Sequence, residues 1–129
     1  MVSFTIIGEP QSKANSRRLV INKKTGKPMS IKSEKALAYV KVVQQQVPIL
    51  DPLLEGPLCA RITIFYAGRR PDLDESLILD ALQGRVYKND RQIVEKHVFR
   101  VLDRDNPRAH VEIGSGLGVT FARARGRAA

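Results

Sequence analysis

A chain of 129 residues with 43% apolar content, 27% charged content and a formal net charge of +9 has room for one domain and one core. That balance excludes general disorder, and no stretch approaches the ~18 continuous apolar residues of a membrane-spanning helix. A single cysteine, Cys59, excludes an internal disulfide; with no recognisable secretory leader at Met1–Ile7, the expectation is a reducing, cytoplasmic compartment.

Taken in chain order, Val2 to Ile7 predicts a first strand, ended by Gly8-Glu9-Pro10. Residues 11–29 are polar and basic and read as an extended loop or hairpin, with a short strand at Leu19-Val20-Ile21 and a turn at Asn22–Lys27. Ser33 predicts an N-cap for a helix to about Gln46, with Ala36, Leu37, Val40, Val43 and Val47 on its apolar side and Pro48 stopping it. Leu58 to Ala67 alternates cleanly: Leu58, Ala60, Ile62, Ile64 and Tyr66 face one way, Cys59, Arg61, Thr63 and Phe65 the other. Asp74 can cap a helix from Glu75 to Gln83 that ends at Gly84. Gln92 to Leu102 is a long β-rich run, Asp103 to Pro107 a turn, and Ala109 to Ile113 a last strand. The expected fold is a small α+β (mixed α/β) domain over residues 1–118, a mixed sheet with two main helices packed on it. A basic, flexible tail is expected at 119–129. Such a sheet leaves at least one open edge, which can pair across a dimer axis.

Charge is unevenly spread. Residues 1–49 hold nine lysines and arginines against Glu9 and Glu34, whereas the remainder holds thirteen against eleven acids. Basic surface attracts polyanions, but it also serves solubility, so sign alone decides little. More specific is the acidic run Pro71-Asp72-Leu73-Asp74-Glu75, followed by Asp90 after a short helix. Crowded carboxylates repel unless a cation lies between them. Hard Mg²⁺ or Mn²⁺ takes oxygen ligands, activates water and stabilises the leaving oxygen of a phosphodiester. An acidic centre inside a basic shell is the electrostatic layout of a nuclease. Helix capping and turn formation are the plainer uses of Asp72 and Asp74. Asp80 reads as structural, and His97 and His110 read as packing or surface residues. No Gly-rich phosphate loop supports a phosphotransferase.

The strings Pro71-Asp72-Leu73-Asp74, Asp80-Ala81-Leu82-Gln83-Gly84 and Asn89-Asp90-Arg91-Gln92-Ile93, with the upstream Gly8-Glu9-Pro10-Gln11-Ser12-Lys13-Ala14-Asn15-Ser16-Arg17-Arg18, resemble the RusA family of Holliday-junction resolvases. The resemblance covers most of residues 3–113. It implies a homodimeric crossover-junction endodeoxyribonuclease, often phage-encoded, that binds four-way or otherwise branched DNA and makes paired nicks in recombination and repair. It also implies Mg²⁺ or Mn²⁺ as cofactor, with Asp72, Asp74 and Asp90 as metal ligands and catalytic residues. Lys13, Arg17, Arg18, Arg69, Arg70, Lys88 and Arg91 are then the candidate DNA contacts.

This chain departs from the family pattern. Glu75 stands where an asparagine is usual, and Asn89 replaces the first aspartate of an Asp-Asp pair. The interval from Asp74 to Asp80 is two residues short, which on a helix is about 200° of rotation and ~3 Å of rise. A shortened first turn is expected. The family lysine is missing, and its ungapped position is Ile78. The alternative to an active nuclease is therefore a junction-binding protein with weakened or lost catalysis.

Overall fold

The computed structural model describes residues 1–11, 17–32 and 34–115. Lys13, Ser33 and the 119–129 tail lie outside the described residues. The chain forms β1 (Val2–Ile7), β2 (Arg17–Ile21), β3 (Pro28–Lys32), α1 (Glu34–Gln46), β4 (Leu58–Tyr66), α2 (Ser76–Leu82), a one-turn 3₁₀ helix (Asp90–Gln92), β5 (Ile93–Leu102) and β6 (Arg108–Ser115). Four strands make one mixed sheet in the order β1-β6-β4-β5, and β2 with β3 makes a separate antiparallel hairpin. The expected α+β domain is what the chain builds. Among the described residues, no helix is long and apolar enough to cross a membrane.

Register explains the two faces of the sheet. In the antiparallel pairs β1–β6 and β6–β4, Ile6 meets Ala109, which meets Ile64, and Phe4 meets Val111, which meets Ile62. These side chains, with Leu58, Ala60, Tyr66 and Ile113, form the inner face and join the buried core. The alternation of β4 thus carries directly into burial. On the opposite face, Thr5 Oγ1 lies 3.0 Å from His110 Nδ1 and Arg61 pairs with Glu112 at 3.7 Å. Arg61 also lies over the Phe99 ring, and Arg108 over Phe65.

β4 and β5 are parallel, so residues 67–92 form a crossover between them. Their pairing slips by one residue at its start: Leu58 faces Ile93, but Cys59 faces Glu95. Val94 is the extra residue of this bulge. Without it, Glu95 and His97 would share the face of Ile93. With it they turn outward, opposite Cys59 and Arg61, while Lys96 and Arg100 turn inward opposite Ala60 and Ile64.

Helix α2 buries Leu77, Ile78, Leu79, Ala81 and Leu82, five of its seven residues. So short a helix owes its order to packing rather than propensity. The return from α2 is equally fixed. Gly84 has φ +82°, and Tyr87 is fully buried with its hydroxyl donating to the Leu79 carbonyl at 2.7 Å. Arg85 donates to the Val47 carbonyl at 2.9 Å, tying the end of α1 to this return.

Helix α1 differs from its expected register. Ala36, Tyr39 and Val43 are its buried residues, whereas Leu37 is 48% exposed. A large aromatic outcompetes leucine for the core side, and the helix rotates to bury Tyr39. Ile62→Ala should therefore cost about 2–5 kcal/mol in urea unfolding, as a buried large-to-small change in the central sheet. Leu37→Ala should cost less than about 1 kcal/mol.

Candidate active site

The acidic motif follows β4 and is pinned by that strand's last residue. The Tyr66 hydroxyl donates to the Asp72 carbonyl at 2.9 Å and accepts the Asp74 N–H at 3.2 Å. Arg100 on β5 lies over the Tyr66 ring at 5.3 Å and donates to the Pro71 carbonyl. Asp74 Oδ1 accepts the Ser76 N–H at 2.9 Å, a local turn bond at the start of α2. The helix itself begins at Ser76 rather than Glu75, and Glu75 gives no side-chain cap. Burial raises the pKa of Tyr66; the hydrogen bond from the Asp74 N–H and the Arg100 charge oppose it, and the charges of Asp74 and Glu9 add smaller increases. Glu9, just after β1, thus belongs to the electrostatic surroundings of Tyr66.

Asp90 is held from the other side of the crossover. Its N–H donates to Gln83 Oε1 at 3.0 Å. Asn89 caps the 3₁₀ turn: its side chain accepts the Arg91 N–H at 2.9 Å, and Gln92 Oε1 accepts the Asn89 N–H in return. An asparagine oxygen caps as well as an aspartate does, so losing the charge at position 89 leaves the turn intact. Gln92 Nε2 donates to the carbonyls of Leu54 and Gly56 at 3.1 Å each. The glutamines of the two downstream motifs are therefore positioning residues, with roles visible only in the fold.

Glu75, Asp80, Asp90, Arg91, Glu95 and Lys96 line one open cleft of about 390 Å³, together with Ser76 and Leu79 from α2. Glu75, next in chain to Asp74, forms a close ion pair there with Lys96. Lys96 reaches the cleft only because of the bulge at Val94. Sequence spacing could not place it there, since its partner lies across the crossover. Ile78, where the motif spacing leads us to expect the family lysine, is 1% exposed in the core. The other basic candidates divide. Arg91 lines the acidic cleft, whereas Lys88 lines a separate cavity with Asp51 and Glu55. Arg69 and Arg70 are exposed in the turn after β4. Arg17 and Arg18 lie on β2.

Asp72, Asp74 and Asp90 do not form a group with donor atoms all within 4.8 Å of one another. Among the described residues, the side chains that do converge, with donor atoms within 4.8 Å of one another, are Cys59, Glu95 and His97. Asp90 shares its cleft with Asp80 and Glu75, while Asp74 sits beside Tyr66.

The family model described as Endodeoxyribonuclease RusA matches residues 8–114, which run from just after β1 into β6 and include both acidic motifs. The chain belongs to the RusA family. It is thereby a member of a family of junction-resolving endonucleases. Among curated proteins, none matches the chain.

Tyr66→Phe removes the hydroxyl that both donates to Asp72 and accepts from Asp74. It should cost about 1 kcal/mol of stability while leaving the fold intact. Hydrogen exchange at the Asp74 amide should rise several-fold, and an unchanged Asp74 amide would contradict the pinning role.

Proposed function

We propose that the cleft at the two ends of the crossover is the active site of a structure-selective endodeoxyribonuclease that nicks four-way DNA junctions in recombination and repair. The observation that carries this reading is that Glu75, adjacent to Asp74, and Asp90 line the same open cleft, although fifteen positions separate them. The donor set around it, Asp72, Asp74, Glu75, Asp80 and Asp90, is all carboxylate oxygen, which suits a hard divalent ion and not a soft one. Asp72, Asp74 and Asp90 would hold Mg²⁺ or Mn²⁺, which when bound supplies an activated water and stabilises the leaving oxygen.

The protein's own contribution is positioning and charge. Tyr66 fixes the backbone that carries Asp72 and Asp74, and Gln83 fixes the backbone that carries Asp90. Carboxylates on the two sides repel, so their convergence on one ion requires the 72–75 segment or the 89–92 turn to close across the cleft. Lys96 is the cation that takes the place of the missing family lysine: it enters the cleft from β5 rather than from α2, and Glu75 holds it there. Arg91 and the arginines at 69 and 70 contact phosphates beside the cleft, and Lys13, Arg17 and Arg18 are further candidate phosphate contacts. Two copies act as a homodimer, matching the two symmetric strands of a junction. The protein works in the cytoplasm of a bacterial host, in keeping with its one unpaired cysteine.

The test is nicking of a synthetic four-way junction in Mg²⁺ or Mn²⁺. Asp74→Asn and Asp90→Asn should each lower the rate by about 100-fold or more, by analogy with the loss of other electrostatic stabilisers. Lys96→Gln should lower it by about tenfold or more while junction affinity changes little. Undiminished nicking by Asp74→Asn would overturn the assignment. The second reading, junction binding without catalysis, is favoured by buried Ile78 at the lysine position. It is supported if the wild-type chain binds the junction tightly and nicks in neither ion.

A further inference from the structure

A second cluster lies on the face of the sheet turned away from the helices. Cys59 on β4 stands directly opposite Glu95 on β5, and His97 follows two residues along the same face. One potential donor atom from each, Sγ, a carboxylate oxygen and a ring nitrogen, lies within 4.8 Å of the other two. Cys59 is fully buried, whereas the Glu95 and His97 side chains are 40% and 25% exposed. The cluster is therefore closed on the β4 side and open on the solvent side. His97 Nε2 lies 2.7 Å from Glu95 Oε2.

This arrangement does not come from the sequence pattern. Glu95 and His97 reach this face through the extra residue at Val94, which reverses their direction relative to Ile93. A sulfur, an imidazole nitrogen and a carboxylate oxygen form a mixed donor set of intermediate softness, unlike the all-oxygen set of the acidic cleft. Zn²⁺ takes such ligands at about 2.0–2.3 Å in tetrahedral geometry, which puts neighbouring donor atoms roughly 3.3–3.7 Å apart. The three donors lie within 4.8 Å of one another, and seating the ion would part Nε2 and Oε2 from 2.7 Å by up to about 1 Å and hold Sγ at about 3.7 Å or less from both.

We propose that Cys59, Glu95 and His97 form a Zn²⁺-class metal site, with three protein ligands and a fourth position open to solvent, that clips edge strand β5 to β4. On binding, Cys59 gives up its thiol proton to solvent and coordinates through the thiolate. His97 coordinates through Nε2 with its remaining ring proton on Nδ1. Burial, followed by the charge and hydrogen bond of Glu95, raises the Cys59 pKa, so the site without metal holds a neutral thiol bonded to Glu95. The nearest competing cation is Arg61, opposite His97 in register. Its guanidinium is engaged with Glu112 and the Phe99 ring, which directs it toward β6 and along the strand rather than into the cluster.

The experiment is Co²⁺ titration of the full chain followed by absorption spectroscopy, with Zn²⁺ as competitor. Wild type should develop a thiolate-to-cobalt charge-transfer band that Zn²⁺ abolishes. The Asp72→Asn, Asp74→Asn, Asp90→Asn triple variant should keep that band, which separates this site from the acidic cleft. Cys59→Ala should lose it. His97→Gln and Glu95→Gln, at partly exposed positions, should retain a native circular dichroism spectrum and bind Co²⁺ at least about tenfold more weakly. Absence of the charge-transfer band in folded wild type would overturn the proposal, as would Co²⁺ affinity unchanged in folded His97→Gln and Glu95→Gln. In that case the three residues form a hydrogen-bonded cluster only.

Discussion

The parallel pairing of β5 with β4, offset by one bulged residue at Val94, is the constraint on which both chemical surfaces of this protein depend. Parallel strands cannot be joined by a hairpin, so the chain must cross over. That crossover carries the Asp72–Glu75 run, helix α2 and the Asp90 turn. The bulge then sorts β5: Lys96 and Arg100 pair with inward-facing Ala60 and Ile64, and Glu95 and His97 pair with outward-facing Cys59 and Arg61, with Glu95 also bordering the cleft. A single inserted residue thus supplies the acidic cleft with a cation and sets two potential ligands on the face of Cys59. Slipping the register back by one residue would exchange these sets.

Around that frame, the crossover is fixed mostly by neutral hydrogen bonds to backbone. Tyr66 holds the entry, Tyr87 holds the underside of α2, and Gln83 and Gln92 hold the return. This division has a physical logic. Carboxylates that must approach one another are unfavourable in the absence of a cation, so the surrounding chain has to be held by groups that do not take part in the charge balance. Net neutral bonds of about 1 kcal/mol each do this without adding charge. Convergence of the aspartates on one ion, as proposed, needs one short segment to close across the open cleft.

Much of this was legible in the sequence. The alternation over Leu58–Tyr66 gave both the strand and its buried face, because period-two patterning translates directly into burial. The RusA-like motifs located the crossover and its acids. What the sequence hid depended on tertiary choice. Helical spacing could not rank Tyr39 against Leu37 for the core side of α1. Nothing in the order of elements showed β6 inserted between β1 and β4. His97 read as a lone histidine because Cys59 is distant in sequence and only the bulged register brings it alongside. Lys96 was hidden for the same reason, as was the role of Gln92, whose bonds reach back to Leu54 and Gly56.

In the function proposed here, the two ends of the crossover act on one reaction centre. The most direct test is a double-mutant cycle for junction nicking, measured under single-turnover conditions with Asp74→Asn, Asp90→Asn and both together. Residues that serve one centre act as a unit, so the double variant should be about as slow as the worse single variant. Losses that multiply independently would mean that Asp74 and Asp90 serve separate sites, and would contradict the account.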